Sequence, residues 1–218
     1  MKKSISLTLF ISLLVTGLFS QNMEIEGKAK VTVMDPATIS AQQVAREPDG
    51  TLSLMSANST YTIGDFAQGG VVFWVNPSGT HGKVVSIYDV GRTRWSNISG
   101  LIGPSAQSNI NGAGNTVAII MQTGHTSSAA RHCADLGDGG FDDWYLPSKD
   151  ELNDVYSNRV AITITALANG GEGFVPDYYW TSTEENGSDA FQQDFEAGGQ
   201  GGDDKGSSTG TIRAIRAF

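Results

Sequence analysis

Residues 70–88 read "GVVFWVNPSGTHGKVVSIY". Two runs of β-branched and aromatic residues, 70–75 and 83–88, flank "NPSGTHG", where proline and glycine punctuate the chain. This is the strongest hairpin signal in the sequence, and it requires a pair of antiparallel strands near the start of the main domain. Downstream come "RTRWSNI" with Trp95 and a glycine-rich loop, "GPSAQSNINGAGN". That loop is no phosphate cradle, because no GK[ST] follows it and no strand directly precedes it.

Helical signals occupy the middle of the chain. Asn115 or Thr116 can cap "TVAIIMQ", and Ser127 or Ser128 can cap "SAARHCADL". A third helix is predicted from Ser148 to about Asn158, with "ALANGGEGFVP" a loop after it. The end is β-like: "YYWTSTE", "AFQQDFEAGG", a Gly/Asp-rich loop and "TIRAIRAF", which would form an antiparallel meander. The expected class is therefore α+β, with helices in the middle and strands at both ends.

The acidic stretch "DDWYLPSKDEL", residues 142–152, invites a catalytic reading. With Ser148 as N-cap, Glu151 falls at the third helical position, which is the capping-box arrangement. Asp150 and Glu151 suit the positive end of the helix. Leu152, Val155 and Tyr156 form an i, i+3, i+4 apolar stripe, and Trp144 is assigned to the core. Asp142 and Asp143 are left as turn formers after "GDGG" or as ligands of a calcium ion, although the DxDxDG spacing is missing.

Other chemistry is sparse. His81, His125 and His132 are scattered, with no HExxH or HxH, and no GxSxG occurs. The single cysteine, Cys133, lies in the helical pattern of "SSAARHCADL" and is read as a small buried hydrophobe, since the adjacent His132 points elsewhere on a helix. No spacing singles out a carboxylate pair for glycoside hydrolysis.

The first residues carry Lys2 and Lys3, then "ISLTLFISLLVTGLF" and the polar "SQNMEIEG". This has the form of a secretory signal peptide, residues 1–20, cut between Ser20 and Gln21, with an apolar run too short to span a bilayer. Residues 21–60 contain no Trp or Phe and little core pattern, apart from one expected strand in "MEIEGKAKVTVMD". They read as an assembly or tethering segment ahead of a main domain, residues 61–218. The net charge is −9, with no basic block, which argues against nucleic acid and anionic membrane surfaces as partners.

Taken in order, "GGVVFWVNPSGTHGKVVS", "DDWYLPSKDEL", "YYWTSTE", "AFQQDFEAGG" and the terminal "IRAIRAF" resemble the C-terminal domain family of Legionella collagen-like adhesins over roughly residues 61–218. The resemblance implies a C-type-lectin-like fold, akin to formylglycine-generating enzymes, and binding rather than catalysis. Two features depart from it: the chain has no collagen repeat and it is acidic, which disfavours anionic glycans. In such a fold the ligand surface follows Trp180. Glu184, Glu185, Asn186, Ser188 and Asp189 in one loop, and Gln200, Asp203, Asp204 and Lys205 in the next, are then the residues expected to face a glycan or protein ligand. Phe191, Phe195 and Trp180 are expected to pack inside, and Arg213 and Arg216 to pair with acids. The expected protein is a secreted, surface or periplasmic recognition module without a resident cofactor, and a homotrimer through residues 21–60 is one assembly it suggests. A tail-fibre-like structural component and a hydrolase- or oxidase-like enzyme are the alternatives.

Overall fold

The computed structural model describes residues 60–206 and 209–218, together with two short strands, β1 (Gln43–Arg46) and β2 (Leu52–Met55). The expected signal peptide and the strand expected in "MEIEGKAKVTVMD" lie outside these residues. The chain falls into two units that divide between Ser56 and Ala57. In the first, β1 and β2 form an antiparallel pair, with Gln43 opposite Met55 and Arg46 opposite Leu52. Sequence reasoning saw no strand there, because neither arm alternates long enough to show a face.

The second unit is of the α+β class. Its elements are β3 (Phe66–Ala67), β4 (Gly70–Val75), β5 (Gly82–Val85), β6 (Gly91–Thr93), a 3-10 turn at Pro104–Ala106, α1 (Gly112–Ile120), α2 (Ala129–Ala134), α3 (Lys149–Ser157), α4 (Arg159–Ala168), β7 (Tyr178–Glu184), β8 (Asp189–Asp194), β9 (Gln200–Asp204), β10 (Gly210–Ile212) and β11 (Ile215–Ala217). Among the described residues the strands make one sheet in the order β11-β5-β4-β3 and another in the order β6-β10-β7-β8-β9.

The predicted hairpin is β4–β5, with Val71 opposite Val85 and Val72 opposite Val84. Its continuous apolar runs reflect burial on both faces, since successive side chains of a strand point to opposite sides. Val72 and Val84 pack with Trp95, Ile119, Cys133, Trp144 and Trp180. Val71, Phe73 and Val85 pack with Leu152, Val155, Ile162, Tyr179 and Phe195. Gly70 lets the strands meet: a Cβ there would stand 2.4 Å from the carbonyl oxygen of Val85.

The helices differ in detail from expectation. α1 begins at Gly112, at least four residues earlier than read, because Asn111 is its cap and accepts the Gly114 N–H at 2.9 Å. Ser128 caps α2 through the Arg131 N–H at 2.9 Å. The third helix is as predicted, with Glu151 reaching back to the Ser148 N–H at 2.8 Å. Glu151 also accepts from Gly112 N–H (3.0 Å), Lys83 Nζ (2.7 Å) and the Tyr145 hydroxyl (3.2 Å). The capping carboxylate is thus a buried hub joining α1, α3 and β5.

Three features correct the sequence reading. α4 follows α3 directly, turning at Asn158, and buries Ile162 and Ala166. The Gly/Asp-rich loop is largely strand β9, held by a ladder from Gln193–Gln200 to Asp189–Asp204. "TIRAIRAF" is two strands rather than one: β10 pairs with β6 and, in parallel, with β7, while β11 crosses to the other sheet beside β5.

Candidate functional site

Strand β7 ends at Glu184, and the chain reverses through residues 185–188 into β8. Asn186 fixes that reversal. Its Oδ1 accepts the N–H groups of Ser188 (2.8 Å) and Asp189 (3.0 Å), and its Nδ2 donates to Asp189 Oδ2 at 2.9 Å. Such Asn side chains substitute for backbone in a tight turn. The N–H groups of Glu185 and Asn186 both donate to the Asp189 carbonyl, at 3.0 and 3.1 Å.

Beneath the turn lies an ion pair with no solvent exposure on either side chain: Lys205 Nζ donates to Glu184 Oε1 at 2.6 Å. The ammonium also donates to the Asn186 carbonyl (2.6 Å) and the Gly187 carbonyl (3.3 Å), and stands 5.0 Å from the Trp95 ring centroid. The Glu184 carboxylate accepts the N–H groups of Ile102 (2.8 Å) and Gly103 (2.7 Å). One buried pair therefore ties together three loops: residues 102–103, the β7–β8 turn and the turn after β9. A buried pair is stable only when its spare donors and acceptors are satisfied in this way.

The β8–β9 hairpin forms the outer edge of the sheet. Asp189 opposes Asp204 and Phe191 opposes Gly202. Asp189 and Phe191 share a face, because residues two apart on a strand do. The half-exposed Phe191 ring carries the Lys149 ammonium 4.0 Å from its centroid. A Cβ at Gly201 would touch nothing, and one at Gly202 would run into the Glu185 carboxylate, so that side chain lies across a bare strand. The result is an aromatic ring and one ammonium beside the carboxylates of Glu185 and Asp189, on backbone with little cover. Such a surface offers hydrogen-bond acceptors to a neutral or cationic polar partner and repels anions.

Of the nine residues expected to face a ligand, the structure brings seven to this edge. Glu185, Asn186, Ser188 and Asp204 are exposed, and Asp189, Gln200 and Asp203 are half-exposed. Gln200 turns its amide toward the Lys149 carbonyl, to which it donates at 2.8 Å. Glu184 and Lys205 do not belong there: both are fully buried and pair with each other under the surface. Phe191 was expected inside, yet it stands at the edge, while Trp180 and Phe195 are buried.

Asp142 and Asp143 do not converge on a cation position. Asp143 gives both oxygens to Arg216, at 2.5 and 3.0 Å, and this bond holds its carboxyl below the usual range. Asp142 is exposed. Among the described residues no group of three or more His, Cys, Asp or Glu side chains gathers in a metal-binding arrangement. Arg213 likewise pairs with Asp89 at 3.0 Å. Burial pushes the Asp89 carboxyl up to about 6, against the attraction of Arg213. The Cys133 thiol is buried and pushed far above its ordinary range by that burial.

Lys149 and Phe191 were not singled out from sequence as a surface pair. Their separation of some forty positions hides it. No helix among the described residues is long and apolar enough to cross a membrane.

Comparison with solved structures finds a fimbrial protein from Bacteroides ovatus ATCC 8483, at 18% identity and a TM-score of 0.55. The alignment covers 81% of this chain and 48% of that one, so the chain spans about half the length of that protein. No curated protein matches. The family model described as the Lcl C-terminal domain matches residues 91–216, from the start of β6 into β11. That match covers more than half of the chain, and the protein belongs to the Lcl C-terminal domain family.

Proposed function

We propose that this protein is an adhesin-like surface module that recognises a glycan or a protein surface, without chemical turnover, through the β7–β8 turn and the β8–β9 hairpin. The observation that carries the reading is the turn itself. Exposed polar side chains sit on backbone that the buried Lys205–Glu184 pair fixes from below. Pre-ordering a contact surface lowers the entropy lost on binding. Membership of the Lcl C-terminal domain family supports the adhesin-like role. The fold is read as C-type-lectin-like, and the protein as exported, at the cell surface or beyond it.

The ligand this surface suits is uncharged or basic, because carboxylates flank Phe191 and the chain is acidic overall. An array of glycans and of surface proteins, probed with the full chain with and without calcium, tests the proposal. Phe191→Ala and Asp189→Ala, each with an unchanged circular dichroism spectrum, are expected to weaken binding at least tenfold. Undiminished binding by both variants refutes the assignment of this edge. A second reading, a structural subunit of a fibre, is favoured by the likeness to a fimbrial protein. It requires stable polymers or a trimer of the purified chain, and residues 21–60, where such assembly was expected, fall largely outside the described residues.

A further inference from the structure

The outer face of α4 is the most apolar exposed element among the described residues. Val160, Ile164 and Leu167 recur at i, i+4 and i+7 and are 67%, 65% and 59% exposed. Ile162 and Ala166, on the opposite side, are fully buried. Both faces of this helix are therefore apolar, whereas a surface helix ordinarily turns a polar face to water. Beside it runs a groove of about 320 Å³, walled by Val160, Thr163 and Ile164 on one side and Phe174 and Pro176 on the other. Val175 and Tyr178, next to the second wall, are 45% and 53% exposed. The largest apolar patch on a soluble protein is often a functional contact surface.

Charge narrows the occupant. The chain is acidic overall, yet α4 carries no ionisable residue except Arg159 at its first position. A second copy, repelled elsewhere, meets no carboxylate on this helix. Arg159 is also at the wrong end of its own helix, where the dipole is positive. It is held there by stacking 3.9 Å from the Tyr156 ring centroid and by donating to the Tyr156 carbonyl at 2.9 Å. An antiparallel second α4 places its negative carboxyl end against this guanidinium. In that arrangement Ile164 lies near the two-fold axis, and Leu167 of each copy faces Val160 and the groove of the other.

The exposed parts of Val160, Ile164, Leu167, Val175 and Tyr178 amount to about 500 Å² per copy, hence roughly 1,000 Å² in all, at the lower limit for a specific interface. We propose that α4 is a self-association face, at which two copies of this chain pack antiparallel about Ile164 into a weak dimer.

Sedimentation velocity of the full chain from 1 to 200 µM is expected to show a monomer–dimer equilibrium in the micromolar range. Ile164→Glu, at an exposed position, should weaken it at least 100-fold while circular dichroism stays unchanged. Ile164→Cys should cross-link to itself on mild oxidation and Arg159→Cys should not; the native Cys133 is buried and does not compete. A wild type that is monomeric throughout overturns the proposal. So does a trimer, an assembly indifferent to Ile164→Glu, or a failure of Ile164→Cys to cross-link.

Discussion

Replacing Lys205 by Met removes an ammonium that makes no contact with solvent. The Glu184 carboxylate left behind keeps two backbone donors, Ile102 and Gly103, but loses its counter-charge at 2.6 Å. Removing one member of a buried pair costs about 3–5 kcal/mol, so about 4 kcal/mol is expected here. For a domain of this size that corresponds to a fall in Tm on the order of 10 °C. Glu184→Gln should cost about 3 kcal/mol, since Lys205 retains the carbonyls of Asn186 and Gly187. The decisive variant is the double one. Neutralising both partners leaves no buried charge, so Lys205→Met with Glu184→Gln should cost about 3 kcal/mol rather than the sum of the singles. Urea unfolding followed by tryptophan emission is the assay, and Trp95, beneath the ammonium, reports on the site directly. Losses under about 1 kcal/mol in the singles, or strict additivity in the double, would show that the pair does not hold the three loops as argued.

Other outcomes follow from the same geometry. Glu151→Gln should destabilise by about 3 kcal/mol in urea, because an amide cannot accept from Ser148, Gly112, Lys83 and Tyr145 at once. Gly70→Ala should abolish folding or leave only insoluble protein on expression, since its Cβ would meet the carbonyl of Val85, which is backbone and cannot move aside. Asp89 has a folded-state carboxyl at about 6, above its unfolded value, so the folded state holds that proton more tightly. Its contribution to stability is full below about pH 4 and lost as the pH rises to about 6. Asp89→Asn should therefore gain in Tm relative to wild type across that window, and a difference independent of pH would contradict the assignment.

How far the sequence could be read depended on whether the physical cause was local. The β4–β5 hairpin was legible because Pro77 and Gly79 mark a turn between β-branched runs, and α3 because Ser148 and Glu151 carry their own start signal. α4 was not. "RVAITITALA" is rich in β-branched residues and Asn158 makes no side-chain cap bond to it, so its helicity comes from packing Ile162 and Ala166 into the core. β9 was hidden for the same reason, since "QGGDD" has poor strand propensity and is held by its partner β8. Of the residues singled out after Trp180, seven reach one exposed or half-exposed edge. The two buried ones could not be told from the exposed ones, because Lys205 and Glu184 become partners only when three loops converge.

The division of "TIRAIRAF" between two sheets bears on when this protein can fold during synthesis. β10 fills the place between β6 and β7, and β11 flanks β5, whose hairpin is made more than a hundred residues earlier. Neither sheet is complete until β10 and β11 have left the ribosome. The nascent chain carries the unpaired edge of β5 for some 130 residues, and that of β7 from its synthesis until β10 arrives, a state exposed to misassociation. Closure awaits contacts distant in sequence, which slows folding. A ribosome-bound chain halted before residue 210 should accordingly remain sensitive to protease, and the released chain should become resistant in one step.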